Sequence, residues 1–234
     1  MAAVYFEVYI AMAFPAVILM GWITISKPKY ILYFLAFATP LSVHLLDERY
    51  SSVNLSLPTE PLIIFLFIGV LLKMLKSKKL VIPEVTTLLS ILILADFSWM
   101  TITALTSTMP IISAKYILMK SWYIGIFYFL LTRYFRNETV AKKFIWSFIV
   151  SILILSLYTL IIHGSGGFSR AYAYTAMRPF LPDHGMYAAC ISFVVPVLFI
   201  FAMHGRQMGY SPALRIVCLV MFLFMVLAVA MSFT

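Results

Sequence analysis

The sequence predicts an all-α membrane protein, a polytopic bundle of about eight transmembrane helices. Of its 234 residues, 64% are apolar and only 11% are charged, and the mean hydropathy is +1.04. An average soluble domain is about 45–50% apolar and about 25% charged. A soluble globule of this length has too small an interior for so much apolar surface, so the composition excludes soluble enzyme folds. The apolar runs are continuous rather than alternating, which favours helices over a β-barrel.

Eight apolar runs approach the roughly 20 helical residues that a bilayer core about 30 Å thick requires. They cover residues 4–25, 30–46, 61–75, 85–105, 116–132, 144–162, 185–203 and 216–232. The third run is short and ends among lysines, and Pro15 predicts a kink in the first. We expect a single transmembrane domain over residues 1–234, without a separate soluble domain.

The basic residues are distributed unevenly between the two sets of loops that alternate along the chain. One set carries 12 of the 17 Lys and Arg residues, and the other carries Arg49, Lys115, Lys120, Arg170 and Arg178. The positive-inside rule assigns the richer set to the cytoplasm. Three polar segments, 47–60, 106–115 and 163–184, then lie on the outer side together with both termini. The net charge of +9 therefore indicates cytoplasmic loops, and binding of nucleic acid is not expected.

Four of the basic residues on the outer side, Lys115, Lys120, Arg170 and Arg178, oppose this bias and require a physical reason. One interpretation is snorkelling, in which long basic side chains reach lipid headgroups from a helix end. The other is an anion site, because Arg makes bidentate contacts with phosphate. A lipid that carries a pyrophosphate is one such ligand.

The segment before the seventh predicted span combines two prolines with an Asp-His pair. Residues 177–187 read Met-Arg-Pro-Phe-Leu-Pro-Asp-His-Gly-Met-Tyr. Asp183 is the predicted N-cap of the following helix, because a carboxylate accepts hydrogen bonds from the N–H groups of the first turn. His184 would need a neighbour that fixes its tautomer in order to act as a general base. A structural and a functional interpretation of the pair therefore stay open.

Asp96 is the carboxylate in the middle of a predicted span, where an acid is costly and is a functional candidate by default. It pairs with a Lys or Arg, accepts a hydrogen bond from a Ser or Thr on a neighbouring helix, or relays protons in a transporter. The four His and two Cys have no metal-ligand spacing. Cys190 and Cys218 lie in apolar runs, so neither a metal site nor a disulfide is predicted.

Four sequence blocks follow one another along the chain. Residues 54–62 read Asn-Leu-Ser-Leu-Pro-Thr-Glu-Pro-Leu, and residues 106–122 contain Thr-Ser, then Ser-x-Lys-Tyr, then Trp. Residues 158–169 contain Tyr-Thr-Leu-Ile-Ile-His and Gly-Phe-Ser, and residues 177–189 contain Met-x-Pro-Phe-x-x-Asp-His-x-x-Tyr-x-Ala. In this order they resemble the blocks of the O-antigen ligase family of Bacteroidota. Gly185 and Ala188 depart from that family's Thr and Gly, and the final Ser-Phe-Thr resembles the start of its next block.

The resemblance implies a GT-C-like glycosyltransferase of lipopolysaccharide biosynthesis in the bacterial inner membrane. Such an enzyme transfers a polysaccharide from undecaprenyl diphosphate to a lipid A–core acceptor, by an inverting reaction that uses no metal or cofactor. By motif match, Lys115, Arg178, Asp183 and His184 lie on the face where the donor binds. We assign Lys115 and Arg178 to the diphosphate, and Asp183 and His184 to the shape of the site.

The resemblance also implies a longer protein. The residues held to be catalytic in that family lie in a large periplasmic loop beyond the last block, and further spans accompany that loop. We therefore expect this chain to be a fragment that lacks the catalytic loop, so its own catalytic residues stay unassigned. Three alternatives stay open. One is an O-antigen polymerase of the same superfamily, which uses the same lipid donor. The others are a transporter or flippase, for which Asp96 is the best support, and a non-catalytic scaffold.

Overall fold

The computed structural model describes residues 20–24, 26–45, 55–77 and 87–232. The predicted span 4–25 lies almost entirely outside these residues. The helices are α1 (Pro28–Ala38), α2 (Thr59–Ser77), α3 (Leu88–Leu105), α4 (Pro110–Tyr123), α5 (Leu131–Phe135), α6 (Glu138–Ser165), α7 (Arg170–Ala173), α8 (His184–His204) and α9 (Pro212–Ala230). The other elements are a 3₁₀ turn (Thr39–Leu41), a π-helical stretch (Ile124–Leu130) and two strands, β1 (Val43–Leu45) and β2 (Leu55–Leu57).

Helices form the framework, which confirms the all-α prediction at the level of fold class. Among the described helices, α3, α6, α8 and α9 are long and apolar enough to cross a bilayer, and α2 contains a shorter apolar stretch, Thr59–Leu72. A helix satisfies its backbone hydrogen bonds internally, as lipid requires. The length and composition of these four helices indicate a membrane protein.

The prediction of one continuous helix over residues 30–46 is wrong. Helix α1 ends at Ala38, and a 3₁₀ turn with Pro40 near its start follows. Proline lacks an N–H and disfavours the α conformation of the residue before it, so the helix does not continue through Thr39. The chain then enters β1, which pairs antiparallel with β2. The 11 residues of α1 extend only about 16 Å, much less than a bilayer core.

The helical run around the predicted span 116–132 is longer than expected. It begins at Pro110, where the fixed φ angle and the missing N–H suit a first helical turn. It continues through the π-helical stretch to Phe135. Lys115, predicted at the boundary between a polar segment and a span, therefore lies inside α4. In the π-helical stretch, a Cβ atom at Gly125 would lie 2.8 Å from the ring of Phe67, so glycine permits this close approach.

The chain divides into two compact units. The first contains Met1–Leu32 and Glu60–Lys142, and the second contains Tyr33–Thr59 and Lys143–Thr234. In the first unit, Asp96 of α3 and Lys120 of α4 form an ion pair with 2.7 Å between Oδ2 and Nζ. The hydroxyls of Ser90 and Tyr128 are hydrogen-bonded at 2.7 Å. Of the three interpretations of Asp96, pairing with a basic residue is therefore confirmed.

The core of the second unit lies between α6, α8 and α9. Buried side chains recur every three or four residues along α6 and α8, so each helix buries a single face. Its apolar core residues from these three helices are Ile149, Ile152, Leu155, Tyr187, Ile191, Val194, Leu198, Phe201, Ala202, Cys218, Met225 and Ala228. Buried serines lie on the same face of α6, where Ser151 donates a hydrogen bond to the carbonyl of Phe37.

Arg215 connects the start of α9 to the end of α8. Its Nε donates to the carbonyl of Ala202 at 3.0 Å, and its Nη2 donates to the carbonyl of Met203 at 3.4 Å. Carbonyls in the last turn of a helix have no intrahelical partner, and a cation complements the negative end of the helix dipole. Ser211 caps α9 by accepting a hydrogen bond from the N–H of Leu214.

The Asp96–Lys120 pair provides a test of how the first unit is stabilised. Replacing either residue alone (Asp96→Asn or Lys120→Met) leaves a partner that has lost its counterion, so we expect a lower unfolding midpoint in detergent. The double variant Asp96→Asn/Lys120→Met removes both charges and should recover most of the loss. Thermal unfolding of purified protein measures all three. Equal midpoints for the wild type and both single variants would show that the pair contributes nothing.

Candidate functional site

The loop between α6 and α8, residues 166–183, contains two of the four predicted site residues, Arg178 and Asp183, and belongs to the second unit. It starts with a tight reversal, in which Gly167 and Phe168 have φ angles of 65° and 53°. The N–H of Phe168 donates to the carbonyl of His163 at 3.1 Å, which closes the end of α6. We call this segment the α6–α8 loop.

His163, near the end of α6, holds the beginning of the α6–α8 loop through its side chain. Its side chain is buried, and Nε2 lies 3.1 Å from the carbonyl oxygen of Ser169. A carbonyl only accepts hydrogen bonds, so this ring nitrogen is the protonated donor. The ring of Phe168 packs edge-on against the imidazole, with 5.2 Å between ring centroids. His163 therefore orders the loop and is not a surface group.

Tyr158 of α6 holds the backbone around Arg178. Its hydroxyl donates to the carbonyl of Arg178 at 2.9 Å, and its ring packs edge-on against Phe180 with 5.2 Å between centroids. The peptide bond between Arg178 and Pro179 is cis. Met177, immediately before, is completely buried in the core of the unit. The backbone is thus fixed from both sides, while the side chain of Arg178 is exposed.

Asp183 and His184 form the start of α8, as the sequence predicted. The carboxylate of Asp183 accepts a hydrogen bond from the N–H of Met186 at 2.8 Å, so Asp183 is the N-cap. His184 is the first residue of the helix, and its ring lies against that of Tyr174 with 4.3 Å between centroids. A carboxylate at this position also complements the positive end of the helix dipole.

Tyr174 is a site residue that sequence reasoning missed. Arg170 Nε donates to the hydroxyl of Tyr174 at 2.9 Å, and the guanidinium carbon lies 6.0 Å from the ring centroid, within cation–π range. Tyr174 thus lies between a cation and His184. The four-residue spacing of Arg170 and Tyr174 was the available signal, but a four-residue helix such as α7 has no periodicity to detect.

The predicted site residues are divided between the two units. Arg178, Asp183 and His184 lie on the α6–α8 loop and the first residue of α8, in the second unit. Lys115 lies in α4, in the first unit, with an exposed side chain. Lys120, the neighbouring candidate cation, forms the ion pair with Asp96. The second unit therefore supplies three of the four predicted residues.

The α6–α8 loop and the start of α8 have the chemistry of an anion site flanked by aromatic rings. Two arginines and one aspartate are the charged residues of segment 163–184, and the aspartate is occupied in capping α8. Arginine binds phosphate oxygens in a bidentate manner, and the ring of Tyr172, which is 49% exposed, offers an apolar face on which a sugar can stack. Among the described residues, no group of three or more His, Cys, Asp or Glu is arranged to hold a metal ion.

Comparison with known proteins identifies no relative: no family model, no curated protein and no solved structure matches this chain.

Proposed function

We propose that this chain is part of an O-antigen ligase-like glycosyltransferase and supplies binding groups for its lipid-linked donor. The donor is a glycan on a polyprenyl diphosphate such as undecaprenyl diphosphate, and the acceptor is a lipid A–core sugar. The proposal includes a GT-C-like bundle of several transmembrane helices and a location in the bacterial inner membrane, in contact with its lipids. It rests on the ordered sequence blocks and on the chemistry of the α6–α8 loop.

The observation that carries the proposal is the contrast between backbone and side chain at Arg178. The hydrogen bond from Tyr158 and the burial of Met177 hold the backbone, and the guanidinium is exposed. The backbone that bears this cation is already ordered, so only the side chain has to be ordered when a diphosphate binds. Arg170 and His184 flank Tyr174 in the same unit and add hydrogen-bond donors for an anionic or sugar ligand.

The reaction explains why such cations are useful. The acceptor hydroxyl attacks the anomeric carbon of the donor, and a new glycosidic C–O bond forms. The bond between that carbon and the diphosphate oxygen breaks, and its electron pair leaves with the diphosphate. Preorganised cations stabilise this developing negative charge. The base that takes the proton of the hydroxyl is not assigned to any residue of this chain.

Two alternatives have specific support. An O-antigen polymerase would use the same donor site but a glycan acceptor, so the groups of the α6–α8 loop fit it equally well. A transporter or flippase is favoured by the acid–base pair of Asp96 and Lys120 within a predicted membrane region. Transport that is lost in Asp96→Asn, while donor binding is retained, would favour this second alternative.

Arg178→Ala is expected to weaken binding of a soluble short-chain polyprenyl diphosphate by about 10- to 100-fold, because a hydrogen bond to a charged group contributes about 1.5–3 kcal/mol. Arg178→Lys should recover part of the affinity, since it keeps the charge but loses the bidentate geometry. Arg206→Ala, in the connection between α8 and α9, is the matched control and should bind normally. Lys115→Ala tests the second assigned cation separately. Unchanged affinity in both alanine variants would favour the snorkelling interpretation of both residues.

Side-specific labelling of single cysteines tests the proposed topology. Cys190 and Cys218 are first replaced by Ala, and a cysteine is then introduced at position 178 or at position 206. Helix α8 has 21 residues and is about 30 Å long, so its two ends lie on opposite sides of the membrane if it spans. We expect a membrane-impermeant maleimide to label position 178 from the periplasm and position 206 only after permeabilisation. The reverse pattern would remove the proposed donor site.

Substitutions of Asp183 distinguish a role in capping α8 from a direct role in binding the donor. Asp183→Asn keeps a good N-cap and should leave both the unfolding midpoint and donor affinity near those of the wild type. Asp183→Ala removes the cap, at about 1 kcal/mol, so its midpoint should fall by about 2–4 °C. Thermal unfolding measures the midpoint, and the diphosphate-binding assay measures the donor affinity. A loss of affinity in a stable Asp183→Asn protein would show that the carboxylate itself contacts the donor or orients it.

A further inference from the structure

We infer that the second unit contains a binding site for one water molecule, which lies between α6, α8 and α9 and bridges the hydroxyls of Thr159 and Tyr187. The site is independent of the proposed donor-binding residues. Its ligand is identified by size and by hydrogen-bonding chemistry. The observations that carry it are two unpaired buried hydroxyls and the cavity that both of them line.

Neither of the two hydroxyls makes a well-formed hydrogen bond with the described residues, although Ser156 and Thr159 both lie close to the Tyr187 phenol. Thr159 and Tyr187 are 5% and 1% exposed, and neither Thr159 Oγ1 nor Tyr187 Oη is hydrogen-bonded. Buried polar groups in proteins are nearly always paired, with the protein or with ordered water, because an unpaired group loses its hydration without compensation. The neighbouring Ser156 directs its own hydroxyl to the sulfur of Met225.

Both side chains line the same small cavity. Polar residues Thr159, His163, Tyr187 and Ser232 form part of its wall, and Ala173 and Ala228 are among its apolar residues. The cavity has room for the centre of a single water molecule. An apolar cavity of this size stays dry, whereas a cavity with two to four polar partners holds a water. A water here accepts from one hydroxyl and donates to the other, which satisfies both.

The position of the site gives it a structural consequence. Thr159 lies one turn before His163 on α6, and Tyr187 lies in the first turn of α8. Ala173, at the end of α7, closes the cavity from the α6–α8 loop. One water therefore connects α6 and α8 next to the α6–α8 loop. Its loss would loosen the base of the loop while leaving Arg170 and Arg178 chemically intact.

Tyr187→Phe tests the site through the sign of its effect on stability. If a water bridges the hydroxyls, removal of the phenol oxygen breaks a hydrogen bond, and the unfolding midpoint in detergent should fall by about 2–4 °C. If the cavity is dry, the variant removes an unpaired buried hydroxyl, and the midpoint should stay or rise. An unchanged or raised midpoint would overturn the inference.

A double-variant comparison tests whether the two hydroxyls share one ligand. Thr159→Val and Tyr187→Phe should be non-additive, because either change alone already disrupts the bridge. Tyr210→Phe is the matched control, since Tyr210 accepts a hydrogen bond directly from Trp146 at the other end of the unit. Its effect should add to that of Thr159→Val. Full additivity of the first pair would exclude a shared water.

X-ray radiolytic footprinting of the wild-type chain tests the site without any substitution. Brief irradiation generates hydroxyl radicals from water held inside the protein, so Tyr187 should be oxidised despite its burial. Met177, which is completely buried in the same unit and does not line the cavity, should stay unmodified. Thr159→Val should reduce the oxidation of Tyr187 at least about twofold. Equal protection of Tyr187 and Met177 in the wild type would overturn the inference.

Discussion

The packing of α6, α8 and α9 against one another is the constraint on which the candidate site depends. The α6–α8 loop joins the ends of two of these helices, so its backbone is ordered only as far as the helices are held together. Lipid tails are as apolar as leucine, so burial of apolar surface does not drive this association within a bilayer. Close fit and a few polar contacts must supply it. Leu155, Ile191 and Leu198 are completely buried between the helices, and Ser151 adds a hydrogen bond at the same face.

Within the α6–α8 loop, the side chains that hold the backbone in place differ from the side chains that are exposed to a ligand. Some side chains hold the loop: His163 bonds to the carbonyl of Ser169, and Tyr158 bonds to the carbonyl of Arg178. Others point away from the core, namely Arg178 and the neighbouring Arg170. Neutral groups therefore satisfy the backbone, and Arg170 contacts a neutral side chain, Tyr174, instead of a carboxylate. A loop built in this way can bind an anion without first breaking an internal ion pair.

Polar groups in the apolar parts of the chain are satisfied by different means. Asp96 and Lys120 neutralise each other across two helices, and Asp183 and Ser211 cap helices at their first turns. Thr159 and Tyr187 make no well-formed hydrogen bond with the described residues, which distinguishes them from these pairs. The difference has a physical origin, because a charge needs an opposite charge or strong hydrogen-bond donors, whereas a hydroxyl can be satisfied by a water molecule.

The sequence alone determined the helices and their local ends. Continuous hydropathy predicted α3, α6, α8 and α9, and Asp183 was predicted as the N-cap of α8, because capping involves residues only three positions apart. Interruption of the second span at Ala38 followed from Pro40, a local signal that a hydropathy window averages away.

The tertiary structure decided which residues meet. Lys120 was selected as the partner of Asp96, Tyr158 as the anchor of Arg178, and Tyr174 as the contact of His184. These pairs lie 10 to 24 residues apart on different elements, and their formation depends on how helix faces pack, which periodicity along one helix does not encode.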